Sequence, residues 1–331
     1  MNAPVVLVTG GGGYVGTVLV PKLLKSGYGV KVVDRFLYGN FLNVNGSAKR
    51  LDIITADIRD AKAMAKALEG VEAVIHLASI SNDPCSDLNP ALTKQVNLDA
   101  VAQLVDLCNK KKVKRLINAS SSSVYGVKDT PNVTEDLPLE PITLYARYKA
   151  ETEGVINNGA GPGLCAVSIR SATVCGYSPR MRLDLSVNIL TCAAVCKGEI
   201  TVNGGDQKRP NIHIEDITDL YCQLVSAPKE KVAGKIFNAG AQNHTIAEIA
   251  RMVQTEIGAD KVKIVVADTN DPRSYHISSE RIKKELGFIP KRSILDAIKD
   301  LNAAFKAGKI PDALTDIRYY NVKTLQSVHF S

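Results

Sequence analysis

The chain of 331 residues has no apolar run long enough to cross a bilayer. Its first hydrophobic segment, Val5-Val6-Leu7-Val8, runs straight into Gly10, so neither a membrane span nor a secretory leader is expected. Cysteine is present without organisation. Cys85, Cys108, Cys165, Cys175, Cys192, Cys196 and Cys222 are odd in number and lack short paired spacings. Cys192 and Cys196 lie four apart on an expected helix, but no His joins them at ligand spacing. Free thiols in a reduced, cytoplasmic protein are the expectation, with no metal. Aromatic residues make up only 5% of the chain, and the one dense basic run, Lys110-Lys111-Lys112 with Lys114-Arg115, has none interleaved. It reads as a solvated helix end rather than a nucleic-acid surface. Internal repeats and low-complexity linkers are also missing. What remains is a globular composition, 45% hydrophobic and 23% charged, with a net charge of +7 that suits an anionic small substrate. The length favours one large domain with a smaller lobe.

What is present begins at Thr9-Gly10-Gly11-Gly12-Gly13-Tyr14-Val15-Gly16. An apolar strand precedes this run, and an amphipathic stretch follows it. Glycines at 10, 13 and 16 allow a sharp turn, close approach of backbone to a pyrophosphate, and tight strand–helix packing. The following helix would point its free N–H groups at the phosphates. About twenty residues on, Lys31-Val32-Val33-Asp34 ends a second apolar segment. An acid there accepts hydrogen bonds from the adenosine ribose and repels a 2′-phosphate, which favours NAD over NADP. Arg35 next door weakens that preference.

Candidate strands at 4–9, 29–33, 52–55, 72–76, 115–118 and 164–169 alternate with helical patterns near 14–25, 60–69, 90–110 and 143–157. That rhythm implies an α/β fold with a doubly wound parallel (Rossmann) sheet and right-handed crossovers. After Arg170 the rhythm breaks. Helices are expected at 183–197, 213–227, from the Thr245/Glu248 capping box to about Ile257, over Ser278–Leu286 and over Ser293–Phe305, with a strand at 235–239. The tail 311–331 has no clear periodicity. The expected division is a dinucleotide-binding domain at 1–175, a substrate lobe at 176–212, a return to the sheet at 213–240, and a second piece of the lobe at 241–331.

Tyr145-Ala146-Arg147-Tyr148-Lys149 opens the 143–157 helix, and its four-residue spacing places Tyr145 and Lys149 one turn apart on one face. A phenol with its pKa near 10 is a poor base at neutral pH. A neighbouring ammonium stabilises the phenolate, and a drop of about three pKa units equals roughly 4 kcal/mol. Taken alone, so short a motif reads as a Tyr and a Lys on an amphipathic helix. Upstream, Ser120-Ser121-Ser122-Ser123-Val124-Tyr125-Gly126 follows the strand Leu116-Ile117-Asn118. A serine hydroxyl there is placed to share a substrate proton with a tyrosine, or simply to lie in a polar loop.

Together these elements resemble the extended short-chain dehydrogenase/reductases, specifically their nucleotide-sugar epimerase/dehydratase group, over almost the whole chain. Thr9–Gly16 is similar to the TGxxGxxG cofactor turn, which includes Gly10, Gly13, Tyr14, Val15 and Gly16. Asp57-Ile58-Arg59-Asp60 resembles the element beside the adenine, and His76-Leu77-Ala78 the segment flanking the cofactor. Asn97 matches the Asn of the helix that follows. The resemblance implies NAD as cofactor and Ser121, Tyr145 and Lys149 as catalytic residues. It places Arg209, within Arg209-Pro-Asn-Ile-His213, and Arg273 on a substrate diphosphate, with Ser122, Ser123 and Thr173 also at the substrate.

The departures narrow the reaction. The group's 4,6-dehydratases carry Asp-Glu where this chain has Ser122-Ser123. Its glucuronate decarboxylases have Glu where Ser123 stands. A hydroxyl cannot do that proton work near neutral pH. Thr173 replaces the Asn that often helps hold the substrate diphosphate. The resemblance therefore implies NAD-dependent oxidation at C4 of a nucleoside-diphosphate sugar, with 4-epimerisation first and a 4-dehydrogenase as the alternative. A reductase of a non-sugar carbonyl has no use for Arg209 and Arg273. A non-enzymatic NAD-binding regulator has no use for Tyr145 and Lys149. A homodimer built on helices 90–110 and 143–157 is a further implication, without nucleic-acid or membrane partners.

Overall fold

Parallel strands buried on both faces need near-continuous apolar sequence, and the amino-terminal segments supply it. The computed structural model describes residues 3–42, 50–128, 130, 132–269, 274 and 276–328. Strands β1 (Val5–Thr9), β2 (Gly29–Asp34), β3 (Leu51–Thr55), β4 (Ala73–His76), β5 (Arg115–Ser121) and β6 (Cys165–Ser171) form the large sheet. Short β7 (Thr173–Cys175), β8 (Glu199–Asn203) and β9 (Lys208–His213) lie outside it, and β10 (Lys235–Ala239) rejoins it. The seven strands run in the order β10-β6-β5-β4-β1-β2-β3. All of these pairings are parallel. Two small sheets complete the fold: β11 (Gln242–Thr245) with β9 and β7, and β12 (Lys263–Ala267) with β8.

Alternation across the pleat divides the core. Val6 and Val8 face a layer with Leu19, Leu23, Ile217 and Leu220, whereas Leu7 faces Met64, Leu68, Val101 and Leu104. A third cluster, including Leu183, Val187, Ile200, Val202, Ile249 and Ile298, belongs to the smaller lobe. Register aligns the carboxyl ends of the parallel strands, pairing Thr9 with His76, Asp34 with Thr55, and Ser121 with Ser171. Ligands of open α/β sheets bind beyond that edge.

Most expected helices are present, including Leu144–Gly159, Ser186–Lys197, Ile214–Ser226 and Ile294–Lys306. The capping box at Thr245 and Glu248 forms in both directions and opens Ile246–Ile257. Several segments differ from expectation, and two of them bear on the site. The single helix expected at 90–110 is Pro90–Lys94, a π-helical turn Gln95–Asp99, and Ala100–Lys110. A π turn shifts side chains out of 3.6-residue register, and here it buries Asn97 against Ile80. The tail contains the helix Asn321–Ser327, which buries only Asn321, Thr324 and Leu325. The basic run ends a helix, with Lys110, Lys111 and Lys114 paired to Asp106, Glu69 and Glu72. All seven cysteines are free thiols. Among the described residues no helix is long and apolar enough to cross a membrane.

Candidate active site

The glycine turn is shaped by space as much as by conformation. Gly10 sits at φ +72°, and a Cβ there would lie 2.6 Å from the Ala78 nitrogen. The turn is thus pressed against the end of β4. A Cβ on Gly16 would strike the Gly11 carbonyl. The Gly16–Lys25 helix begins without a side-chain cap and without an acid in its first turn. The Thr17 and Val18 N–H groups are taken by the Gly13 and Val15 carbonyls, so what this helix start offers an anion is chiefly its positive dipole end. Tyr14 uses its buried hydroxyl to donate to the Gly176 carbonyl at 2.6 Å, tying the turn to the smaller lobe.

Asp34 ends β2 on the same wall. Its two oxygens accept from the N–H groups of Gly12 at 2.9 Å and Phe36 at 2.7 Å, and burial raises its pKa. Arg35 pairs with Asp57 Oδ2 at 3.2 Å, while Arg59 grips both Asp57 oxygens, at 2.9 and 3.0 Å. Burial opposes ionisation of Asp57, but the Arg59 hydrogen bonds and charge, helped by Arg35, hold its pKa below the usual range. Asn97 does not line the cavity. Its side chain accepts the Ile80 N–H at 2.8 Å and donates to the Ile80 carbonyl at 2.9 Å, fixing the wall segment after Ala78 from behind. His76, donor or acceptor to Thr9 Oγ1 at 2.8 Å, is kept neutral by burial and by the Lys149 charge, with its pKa pushed down to about 3.

At the far end lie the hydroxyls and the lysine. Ser121 caps the short turn Ser122–Tyr125, accepting from the Ser123 N–H at 3.2 Å and sharing a hydrogen with Ser123 Oγ at 2.9 Å. Thr143 caps the Leu144–Gly159 helix and sets its first turn. Lys149 Nζ then reaches the Ala119 carbonyl at 2.7 Å and lies 5.8 Å from the Tyr145 ring centroid. Burial pushes the Lys149 pKa down to about 8, against the pull of Glu153. Glu153, one turn further on, accepts from Ser120 Oγ at 2.5 Å and forms a buried ion pair with Arg170 at 2.7 Å. Arg170 also donates to Tyr125 Oη at 2.8 Å. The helix bearing Tyr145 and the strand bearing Ser121 are bolted together behind the reacting face.

One cavity of about 1210 Å³ joins these residues. Gly10, Gly13, Tyr14, Val15, Gly16, Asp34, Arg35, Asp57, Ile58, Leu77, Ala78, Ser121, Ser122, Ser123, Tyr145, Lys149, Thr173 and Arg209 all line it. Arg209 is half-buried at the lobe end, and its Nη1 donates to the Lys208 carbonyl at 3.0 Å. Glu199, Thr201 and Asn203 line the wall there, while Ile200 and Val202 between them enter the core, the period-two signature of a strand. Arg273 lies outside the described residues. Several wall residues escaped the sequence reading: Tyr38, Arg180, the Arg182–Asp184 pair at 2.9 Å, and Asn321. Arg180, Arg182 and Asp184 were signalled only by the alternation of charged and apolar residues in Arg180-Met-Arg182-Leu-Asp184, and Tyr38 and Asn321 by nothing local.

Glycines without room for a Cβ, an uncapped helix start and a carboxylate at the end of β2 fit a dinucleotide, and the volume exceeds an ordinary ligand pocket of roughly 300–1,000 Å³. Fold and site together define a dinucleotide-dependent α/β enzyme. The chain belongs to the NAD dependent epimerase/dehydratase family, whose model matches residues 6–240, and NAD is its cofactor. It is similar to a UDP-glucose 4-epimerase of Corynebacterium glutamicum, 29% identical over 91% of this chain and 95% of the relative. Among solved structures it resembles a UDP-glucose 4-epimerase with UDP-glucose from Thermotoga maritima, with 26% identity and a TM-score of 0.81 over 92% and 99% of the two chains. It also resembles DesIV, a dTDP-glucose 4,6-dehydratase from Streptomyces venezuelae with NAD and TYD bound, at 25% identity and a TM-score of 0.83 over 94% and 99%.

Proposed function

We propose that the protein is a nucleotide-sugar-modifying enzyme that works at C4 of a nucleoside-diphosphate sugar, as a 4-epimerase. The observation that carries this is the single cavity with Ser121, Tyr145 and Lys149 at one position and Arg209, Thr201 and Asn203 further along the lobe. A sugar between those groups has its diphosphate toward Arg209 and a ring hydroxyl toward Tyr145. Relatives named as UDP-glucose and UDP-arabinose 4-epimerases support the assignment.

Tyr145 takes the proton of the C4 hydroxyl and later returns one. Ser121 hydrogen-bonds the same oxygen and holds it in line. The Lys149 ammonium favours the Tyr145 phenolate, a general-base arrangement worth ~10²–10⁴-fold. NAD, when bound, supplies the acceptor for the C4 hydrogen. Ser122 and Ser123 bring no acid–base pair to the neighbouring carbon, so the chemistry stops at redox without elimination of water. Gly10, Gly13, Tyr14, Val15, Gly16, Asp34, Arg35, Asp57, Ile58, Leu77 and Ala78 are the proposed cofactor wall. Ser122, Ser123, Thr173 and Arg209 are the proposed substrate wall.

The test is a panel of UDP-, GDP-, CDP- and dTDP-sugars, with product stereochemistry read by NMR and NADH followed by absorbance. The expected result is one C4 epimer pair at equilibrium without net NADH. Stoichiometric NADH with a keto-sugar product would make the enzyme a dehydrogenase, and no turnover of any sugar would overturn the reading altogether.

A further inference from the structure

Arg180 is a cation buried without its anion. It is 1% exposed, sits on the wall of the main cavity, and is foremost among the largest fully buried side chains. Its guanidinium stacks 3.9 Å from the centroid of the Tyr38 ring, and Nη2 donates to Asn321 Oδ1 at 2.5 Å. Nε has no hydrogen-bond partner among the described residues. Neighbouring Arg182 is neutralised by Asp184 at 2.9 Å, whereas Arg180 makes no such ion pair among the described residues. Asp34 and Asp184 attract it only from a distance, and Arg182 repels it.

A guanidinium does not shed its proton to escape this cost, and a buried charge is tolerated when it is paired. The position names the partner. The Arg180 backbone N–H reaches Thr17 Oγ1 at 3.4 Å, on the first turn of the Gly16–Lys25 helix. The Arg180 backbone is therefore anchored at the start of that helix, while its guanidinium, against Tyr38 and Asn321, lies within electrostatic reach of Asp34. The helix start offers only a partial positive charge; Arg180 adds a whole one.

We propose that Arg180 is a binding residue for the diphosphate of NAD on its adenosine side, held in place by Tyr38 and by Asn321 of the carboxyl-terminal helix. Asn321 Nδ2 also donates to Ser81 Oγ at 3.0 Å, and its N–H to Asp184 at 3.2 Å, so one residue joins the cation to two other parts of the wall. The proposal rests on the cofactor and not on the identity of the sugar, so it stands or falls separately from the 4-epimerase reading.

The experiment compares the full-length wild type with Arg180→Met and Arg180→Lys by calorimetric titration of NAD⁺, ADP, adenosine, NADP⁺ and UDP, with Tm read for apo and NAD-loaded protein. Arg180→Met is expected to weaken NAD⁺ and ADP by about 10–100-fold, as for loss of a charged hydrogen bond, while adenosine changes by less than about twofold. Apo Tm should not fall, because an uncompensated charge is removed, and the Tm rise on adding NAD⁺ should shrink. Arg180→Lys, charged but without the planar fork, should lie between. Equal losses for adenosine and ADP would make the arginine structural, as would failure of both variants to fold. Unchanged NAD⁺ binding with loss of UDP would assign it to the substrate. Unchanged NAD⁺ binding with loss of NADP⁺ would assign it to a 2′-phosphate. Each of these outcomes overturns the proposal.

Discussion

Lys149 carries its charge where water hardly reaches, and that has two readable consequences. With a folded pKa of about 8 against 10.5 for a free lysine, the unfolded chain binds the proton more tightly. The penalty, on the order of 3 kcal/mol, is therefore complete below pH 8 and disappears as pH rises toward 10.5. Lys149→Met should accordingly raise Tm at pH 7 relative to wild type, with the gain fading toward pH 10. The same substitution should remove turnover, because nothing else on the helix face favours the phenolate. Wild-type turnover should decline as pH climbs through about 8, where the ammonium is lost. Tyr145→Phe removes the acid–base group itself. It should cut turnover by about 10²-fold or more with NAD affinity retained, measured by titration beside the rate assay. Near-normal turnover in that variant would sink the assignment.

At the scale of elements, the glycine turn and the end of β4 are one unit. Gly10→Ala demands a left-handed backbone from alanine and drives a methyl group into the Ala78 nitrogen. The strain is about 1–3 kcal/mol, so NAD affinity should fall by about tenfold or more while far-UV circular dichroism stays native. This unit was legible in the sequence because glycine spacing and strand–helix order are local signals. So were the seven strands of the large sheet, whose apolar runs need no partner to be seen. The small sheets were not. Asn211 pairs with Thr173 in β7 and with Gln242 in β11, and such short polar strands exist only through those pairings. The π turn was invisible for a related reason, since the hydrogen bonds of Asn97 to Ile80 reward it across 17 positions of chain. Ser121, Tyr145 and Lys149 could be read as a constellation because motif spacing places them. Arg180 and Asn321, 141 positions apart, could not.

Across the whole molecule, the buried Glu153–Arg170 pair links the site to the core. Ser120, Glu153, Arg170, Tyr125 and Asn238 form a continuous chain of polar contacts behind the reacting wall, from β5 through the Leu144–Gly159 helix to β6 and β10. Glu153→Gln leaves the Arg170 charge uncompensated and should cost about 3–5 kcal/mol in urea unfolding. A Glu153→Leu/Arg170→Met double variant should lose less, because neither charge is then stranded. Equal losses in the two would mean that the chain of contacts, and not charge pairing, sets the stability.

The cavity wall also has a schedule. Asn321, Val322, Lys323 and Leu325 border the same space as Gly10–Gly16. During synthesis at about 5–20 residues per second, the glycine turn and β1 leave the ribosome early. They wait for a helix some three hundred positions later. The parallel sheet is able to form on the growing chain, but the complete binding chamber is not. A ribosome that pauses anywhere before Tyr320 holds a scaffold with one side of its chamber open, so a complete cofactor site awaits the Asn321–Ser327 helix.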